Sequence, residues 1–563
     1  MPVKHVNIWR FAALAWVGLL VSVAGQSNAP IGVDAQSPGP AAVVAHAPNG
    51  TPEGINNSER AVVSARGKGS DARFKLPPHR RPEGQKRVRI LRLAFALSLA
   101  PAIALVAFLI GWRRRYGEEL FPARGMLLMS VFWAVPAALN AVFIRQGLDT
   151  GVPLRFPVSE AFISWMRGGW YAAAFLSLLA LALIGHRRRS GGGSVVLWGA
   201  LGVTLIALGN LIQGSFSNAF YDPFLRNGRQ YCQDALTLVS SQDFLQGFQE
   251  FQKNLSVHAR THPPFAVLIH RWLIDAGNGG PAVMALVLAG LASTSVFLVW
   301  HLFRETGSCR EKASLFTLLF AVLPAVNIYT VASLDGVIAT CNLLAAVGLV
   351  RLLRRGADII GFVLFLTGFM LVNLLTFGGT FLAATAGLVA LTEAIFRKRW
   401  TLLAALVATA VVTAGLWLVG RAWLGYDHVR AFLTASALEN PDGFRGFHEP
   451  LKYLMTRAEC VMEIAFFASV PVSAMLLRPA CLGIPASEEE KPVTRFSMIG
   501  MGVLGLMFLA GAFRTGETAR TCLFIYPYLL LLLRHVPIPN LRIAVAAAGI
   551  QTAIMQLVGD YFW

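Results

Sequence analysis

Residues 257–265 read VHARTHPPF, setting His258, Arg260 and His262 just ahead of Pro263 and Pro264. Groups of this kind suit an anion. Guanidinium N–H donors pair with phosphate oxygens in a fixed fork, and imidazole changes charge near neutral pH. The double proline fits the first turn of a helix, where a missing N–H is harmless, and Thr261 or His262 is placed to cap it. A helix starting there directs its free N–H groups and the positive end of its dipole at the same space. Two carboxylates lie upstream, Asp222 in SNAFYDPF and Asp234 in RQYCQDAL. Held at a partly desolvated edge, either has the properties of a general base; as a lone loop residue, either also serves as a cap or turn former. Downstream, Asp335 in VASLDGVIA falls in a very short connection, where a charge needs a partner. RTGETARTCLF puts Arg514, Glu517 and Arg520 on one face, as part of a site or as an Arg–Glu surface pair of small worth.

The elements that position these residues are membrane helices. Hydrophobic residues make up 55% of the chain, charged residues 14%, and the mean hydropathy is +0.57. Apolar runs of roughly 20 residues, the length of one helical crossing, recur over 91–111, 125–144, 166–185, 195–214, 281–303, 313–332, 335–353, 359–376, 379–396, 401–423, 459–477, 497–513, 520–534 and 541–558. The expected fold is an all-α polytopic membrane protein of about 13–14 spans. The net charge of +19 calls for no nucleic-acid partner, because the basic residues cluster at run ends, as in Arg187–Arg189, Arg354–Arg355 and Arg397–Arg399. If every run crosses, these clusters share one side, the cytoplasm, and the loops 215–280 and 424–458 share the other. HRRPEGQKRVRILR, before the first core span, disobeys the rule.

Residues 1–25 read as a signal peptide or single anchor and 26–90 as a disordered Pro/Ala/Gly-rich tail. Residues 91–194 read as accessory spans and 195–563 as the membrane core. In loop 215–280, Phe244, Phe248, Phe251 and Leu255 form one apolar stripe of a helix, laid on the headgroup region or packed on protein. Phe265, Leu268, Ile269, Trp272 and Leu273 continue onto the membrane surface until GNGG at 277–280 stops the helix. Six scattered cysteines without a CxxC pair imply no metal site or disulfide framework, although Cys232 and Cys460 share the outer side and one bridge is conceivable.

In order, Asp222, Arg229 with Tyr231 and Asp234, the THPPF corner, the SLD ending at Asp335 and GETARTCLFIYP resemble the GT-C superfamily of polyprenyl-phosphate-sugar-dependent membrane glycosyltransferases. That superfamily includes protein O-mannosyltransferases, aminoarabinose transferases of lipid A and actinobacterial arabinosyl- and mannosyltransferases. The likeness spans roughly residues 195–535, by pattern. It departs in two places: Asp222 lies farther from Tyr231 than the usual acid while Asp234 lies beyond it, and the N-terminal spans are additional.

The resemblance implies an inverting enzyme in the plasma membrane of a bacterium, with its active face extracytoplasmic. The donor is a polyprenyl-phosphate sugar and the acceptor a hydroxyl of a glycan, lipid or protein. Asp222 or Asp234 acts as base. Arg229, Tyr231, His258, Arg260, His262, Asp335, Arg514, Glu517 and Arg520 hold donor or substrate, with Pro263 and Pro264 as structural corner. The resemblance names no certain cofactor. A divalent ion at the phosphate stays open, because hard ions need several oxygen ligands and the spacing names no complete set. The competing expectation is a transporter or flippase of a lipid-linked or small polar substrate, which would carry charge deeper in the bilayer.

Overall fold

Backbone groups in hydrocarbon have no water to bind, so long apolar runs close their hydrogen bonds internally and become helices. The computed structural model describes residues 160–161, 165–188, 193–225, 230–278, 280–331, 333–440, 443–476, 491–513 and 517–560. The signal peptide, the N-terminal tail, the first two runs, Arg229 and Arg514 lie outside them. What is described is an all-α polytopic membrane protein. Seven helices are long and apolar enough to cross: Gly168–Arg188, Pro281–Glu305, Leu334–Arg355, Gly379–Arg397, Trp400–Leu424, Lys491–Leu509 and Ile538–Leu557. An eighth crossing results if the bent pair Thr456–Phe467 and Val470–Leu476 is one span. A two-residue ladder pairs Glu160–Ala161 with Gly559–Asp560.

Two of the expected runs, 91–111 and 125–144, lie outside the described residues, and others are shorter or broken for local reasons. Val195–Leu211, Ile359–Leu375 and Leu523–Leu532 are apolar but shorter. The run 313–332 is broken: Arg310–Val322 ends at Leu323, whose ψ of 134° is extended, and Pro324 opens a second helix, Pro324–Tyr329. The break frees carbonyls that would each cost several kcal/mol if left bare in hydrocarbon. Side chains fill them. Asn327 Nδ2 donates to Ala321 O at 3.0 Å and Leu205 O at 3.2 Å, and Thr552 Oγ1 donates to Val322 O at 2.6 Å. Gln556 Nε2 in turn donates to Asn327 Oδ1, and Gln213 Nε2 to Gln556 Oε1.

The 112° bend in the pair 456–476 is solved the same way. Ser469 adopts a φ of 75°, Val470 N donates to Gln551 Oε1 at 2.9 Å, and Gln551 Nε2 reaches Phe466 O at 3.1 Å. A single glutamine on the last span thus bridges both sides of the break.

Leu334–Arg355 and Ile359–Leu375 approach closely, because small residues face each other. A Cβ on Gly348 would meet Phe365 N and Gly361 O, and one on Gly368 would meet Cys341 O. Such contacts let backbones approach where lipid offers no hydrophobic drive to association.

Loop 215–280 folds into short helices over this bundle. The amphipathic stripe is not one helix: Ser241–Gln246 and Phe248–Phe251 are separated at Gly247, and a 3-10 turn follows at Gln252–Asn254. Phe244 and Phe248 are buried and Phe251 is exposed. The stripe packs on protein, since the Phe248 ring meets Tyr426 edge-on at 5.7 Å and Gln252 Nε2 donates to Ala431 O. The two long loops are therefore one layer. Buried Phe224, Tyr231, Phe248, Leu268, Met284, Leu334 and Tyr426 belong to one continuous core joining that layer to the spans.

Candidate functional site

The proline corner forms with one correction. Helix Phe265–Ala276 begins directly after buried Pro263 and Pro264, and the Pro264 carbonyl accepts from Val267 N and Leu268 N at 3.0 Å. No side chain caps it. Thr261 Oγ1 donates backward to His258 O at 3.1 Å, and His262 Nδ1 is 2.8 Å from the same carbonyl, so neither acts as the expected cap. The helix buries Ala266, Val267, Leu268, His270 and Ile274, while Trp272 is exposed and donates to Ser241 Oγ. It ends at Gly277, followed by left-handed Asn278, where the glycine-rich stop was expected.

Behind this corner the structure gathers residues from four distant segments. Tyr231, the first residue of helix Tyr231–Thr237, is buried. Its ring meets His262 edge-on at 5.2 Å, His270 at 5.3 Å and His258 at 6.3 Å. Burial raises its phenol pKa well above 10, and the nearby charge of Asp335 adds to the effect. Asp335 sits in the first turn of Leu334–Arg355. Arg520 bridges two carboxylates, Nε to Asp335 Oδ2 at 3.3 Å and Nη2 to Glu517 Oε2 at 2.9 Å. Side chains of the three are only 11%, 18% and 12% exposed, so this is a buried ionic triad and not a surface pair. Taking such charges out of water is costly unless close partners replace the lost hydration, and here Arg520 serves both carboxylates.

His262 changes role. A carbonyl can only accept, so Nδ1 donates to His258 O and Nε2 is the acceptor. Burial lowers its pKa to about 4, against a smaller raising effect of that hydrogen bond. His262 is therefore a neutral acceptor at neutral pH, not a source of positive charge for a phosphate. His270, fully buried beside Tyr231 and Phe224, is lowered to about 4 by burial as well, with Nδ1 bound to Ala266 O.

Positive charge comes instead from Arg260, on the 3-10 turn Ala259–Thr261. Its Nε is buried without a hydrogen-bond partner, and its guanidinium forms no ion pair with a described residue. Its backbone is fixed, since Gln252 Nε2 donates to Arg260 O at 3.0 Å.

The two candidate bases differ. Asp234 accepts from Ser256 N through both oxygens, at 3.2 and 3.3 Å, tying its helix to the loop before the corner; burial raises its pKa and these bonds oppose the rise. Asp222 opens the short helix Asp222–Leu225, which packs on Tyr231–Thr237, and accepts from Ser217 Oγ through Oδ1 at 2.7 Å. Its Oδ2 has no partner among the described residues.

Two acids escaped sequence reading. Glu459 and Glu463 lie one turn apart in the bent pair, at 3% and 1% exposure, each with Oε2 lacking a hydrogen-bond partner. Glu463 Oε1 accepts from Ala519 N at 2.9 Å, placing it directly behind the triad. Their signal was present as two carboxylates inside the apolar run AECVMEIAFF. Among the described residues no group of three or more His, Cys, Asp or Glu side chains could hold a metal ion, and Cys232 and Cys460 are buried free thiols.

The fold and site together define an all-α multi-pass membrane protein with a buried ionic cluster where a polar loop layer meets the ends of the spans. Comparison with known proteins found no matching family model, no matching curated protein and no matching solved structure.

Proposed function

We propose that the protein is a membrane glycosyltransferase that moves a sugar from a polyprenyl-phosphate donor to a hydroxyl acceptor on the extracytoplasmic face. The observation that carries this reading is the contrast between two arginines. Arg520 pairs with Asp335 and Glu517, whereas Arg260, two residues before His262 in the corner, pairs with no carboxylate among the described residues. A lipid phosphate supplies the missing anion, and its buried position at the membrane edge suits a polyprenyl chain.

In the reaction, the acceptor oxygen forms a bond to the anomeric carbon while the bond from that carbon to the phosphate oxygen breaks, with inversion. Polyprenyl phosphate leaves with the electron pair, and Arg260 stabilises its added charge. Asp222 takes the acceptor proton, because Asp234 has both oxygens engaged by Ser256. His262 Nε2 and the Tyr231 ring orient the sugar as acceptor and wall. Arg520, Asp335 and Glu517 hold the layer in register with the spans.

The test is transfer from labelled polyprenyl-phosphate sugars to membrane acceptors by the purified protein. Asp222→Asn is expected to lower kcat at least about 100-fold, in line with loss of a general base. Arg260→Gln is expected to weaken donor use about tenfold or more, the scale of a charge-assisted hydrogen bond. Transfer unchanged in both variants, or absent with every donor class, sinks the proposal. One observation favours transport as a second reading: a sharply bent helix pair carrying buried Glu459 and Glu463 resembles the broken helices of transporters. Movement of a labelled lipid-linked sugar across proteoliposomes without any transfer would select it.

A further inference from the structure

A second polar feature lies at the far end of the bundle. Helix Leu334–Arg355 carries Asp335 in its first turn and Arg354 and Arg355 in its last, about 30 Å apart at the usual helical rise. At that far end is a cavity of about 240 Å³ lined by Arg354, Arg355, Glu393, Arg399, Thr401 and Leu402, among others. The volume is large enough to admit a phosphate head group.

Its chemistry is that of an anion site. Arg354 donates to a neutral acceptor, Glu305 O, and Arg399 Nη1 donates to Leu353 O at 3.1 Å, with a carboxylate oxygen, Glu393 Oε2, at 3.9 Å, beyond hydrogen-bond reach. Arg355 is the one of the three with a short ion pair, to Glu305 at 2.7 Å, and it remains half-exposed. Glu393 is the sole acid of the lining; it lies 3.3 Å from Arg495 and 3.9 Å from Arg397 and Arg399. Helix Trp400–Leu424 starts in the cavity. Its N-cap residue, Arg399, makes no side-chain cap, and the first-turn amides of Thr401 and Leu402 have no acceptor among the described residues. Uncapped first-turn amides beside arginines are a ready phosphate cradle. Glu393 adds a second, independent indication: it is only 2% exposed, and its Oε2 has no hydrogen-bond partner. It therefore calls for a donor on the ligand, such as a head-group ammonium or hydroxyl.

The surroundings say which source of phosphate fits. Within three residues of lining positions along the chain stand Ile359, Phe396 and Trp400, at 71%, 77% and 58% exposure, and an exposed tryptophan at a helix end marks the membrane interface. A free ion has no use for that rim; acyl chains do. We propose that the cavity binds the phosphodiester head group of a membrane lipid, with Arg354, Arg399 and the first-turn amides of Trp400–Leu424 on the phosphate and Glu393 on the head-group donor. The lipid staples Leu334–Arg355 to Gly379–Arg397 and Trp400–Leu424 at the end opposite the ionic triad.

The experiment is native mass spectrometry of the intact protein titrated separately with phosphatidylglycerol, phosphatidylethanolamine and phosphatidylcholine, with inorganic phosphate as a parallel arm read by thermal shift. Phosphatidylglycerol and phosphatidylethanolamine are expected to bind more tightly than phosphatidylcholine, whose head has no donor for Glu393. The double variant R354Q/R399Q is expected to lose at least tenfold in lipid affinity, and R354K/R399K to recover part of it. That recovery separates loss of charge from misfolding. Inorganic phosphate protecting as well as lipid would overturn the lipid assignment in favour of a free ion. Lipid binding that is equal in the native protein and R354Q/R399Q would overturn the site.

Discussion

Arg520→Met is the most informative single change. It removes the one cation between Asp335 and Glu517 while keeping an unbranched apolar stem of similar reach. The three side chains are 11–18% exposed, with contacts of 3.3 and 2.9 Å, so solvent screens them little. Breaking a buried pair costs about 3–5 kcal/mol, chiefly because the charge that remains stays buried, and here Arg520 serves two carboxylates. A surface pair in the same place would cost about 0–1 kcal/mol. The expected loss is therefore about 3–5 kcal/mol, measured by reversible denaturant unfolding in micelles followed by tryptophan fluorescence. Adding Asp335→Asn and Glu517→Gln should recover much of it, because neutral amides no longer face each other as like charges. A coupling of about 2 kcal/mol or more between the cation and the two acids is expected from groups in one network. A loss under about 1 kcal/mol, or a triple variant no more stable than Arg520→Met alone, would refute the buried triad.

Three further outcomes follow from other parts of the fold. Gly348→Leu should cost at least the upper end of about 1–3 kcal/mol typical of overpacking, because its Cβ meets backbone of Ile359–Leu375 that cannot swing aside; the same unfolding assay reads it, and a near-neutral result would mean the two helices are not in close contact. Stability should fall as pH drops from about 6.5 toward 4. His262, His270 and His428 are held neutral in the fold by burial, with pKa values of about 4, while the unfolded chain takes up protons below 6.5. A lowering of that size corresponds to on the order of 3 kcal/mol for fully buried His270, so His270→Phe should flatten the pH dependence by about that amount; an unchanged slope contradicts its neutrality. In a background without Cys481, Cys309 is exposed while Cys232, Cys341, Cys460 and Cys522 are buried. An impermeant maleimide should then label Cys309 only in opened membranes and a cysteine at exposed position 250 in intact cells; the reverse pattern would invert the proposed topology.

The helical membrane class was legible because it depends on run length and composition, which are properties of contiguous residues. The ends of Pro281–Glu305, Leu334–Arg355 and Trp400–Leu424 fall within a few residues of the apolar runs that announce them. The corner at Pro263 and Pro264 was legible for a similar reason: proline restricts its own backbone whatever surrounds it. Continuous runs were misleading where a distant side chain replaces the helical hydrogen bond, as Asn327 does for Ala321 and Gln551 does for Phe466.

The site divides along the same line. Residue type and order singled out His258, His262, Asp335, Glu517 and Arg520, the resemblance added Tyr231, and the tertiary structure brings these into one cluster. Only that structure decided what each does. Arg520 is spent on two acids, Arg260 meets none among the described residues, His262 is neutral, Asp234 is bound to Ser256, and Glu463 accepts from Ala519 behind the triad. Charge state and partnership depend on desolvation and on groups far apart in the chain. Local sequence sets which side chains are available; packing sets how dry they are and which charge they meet.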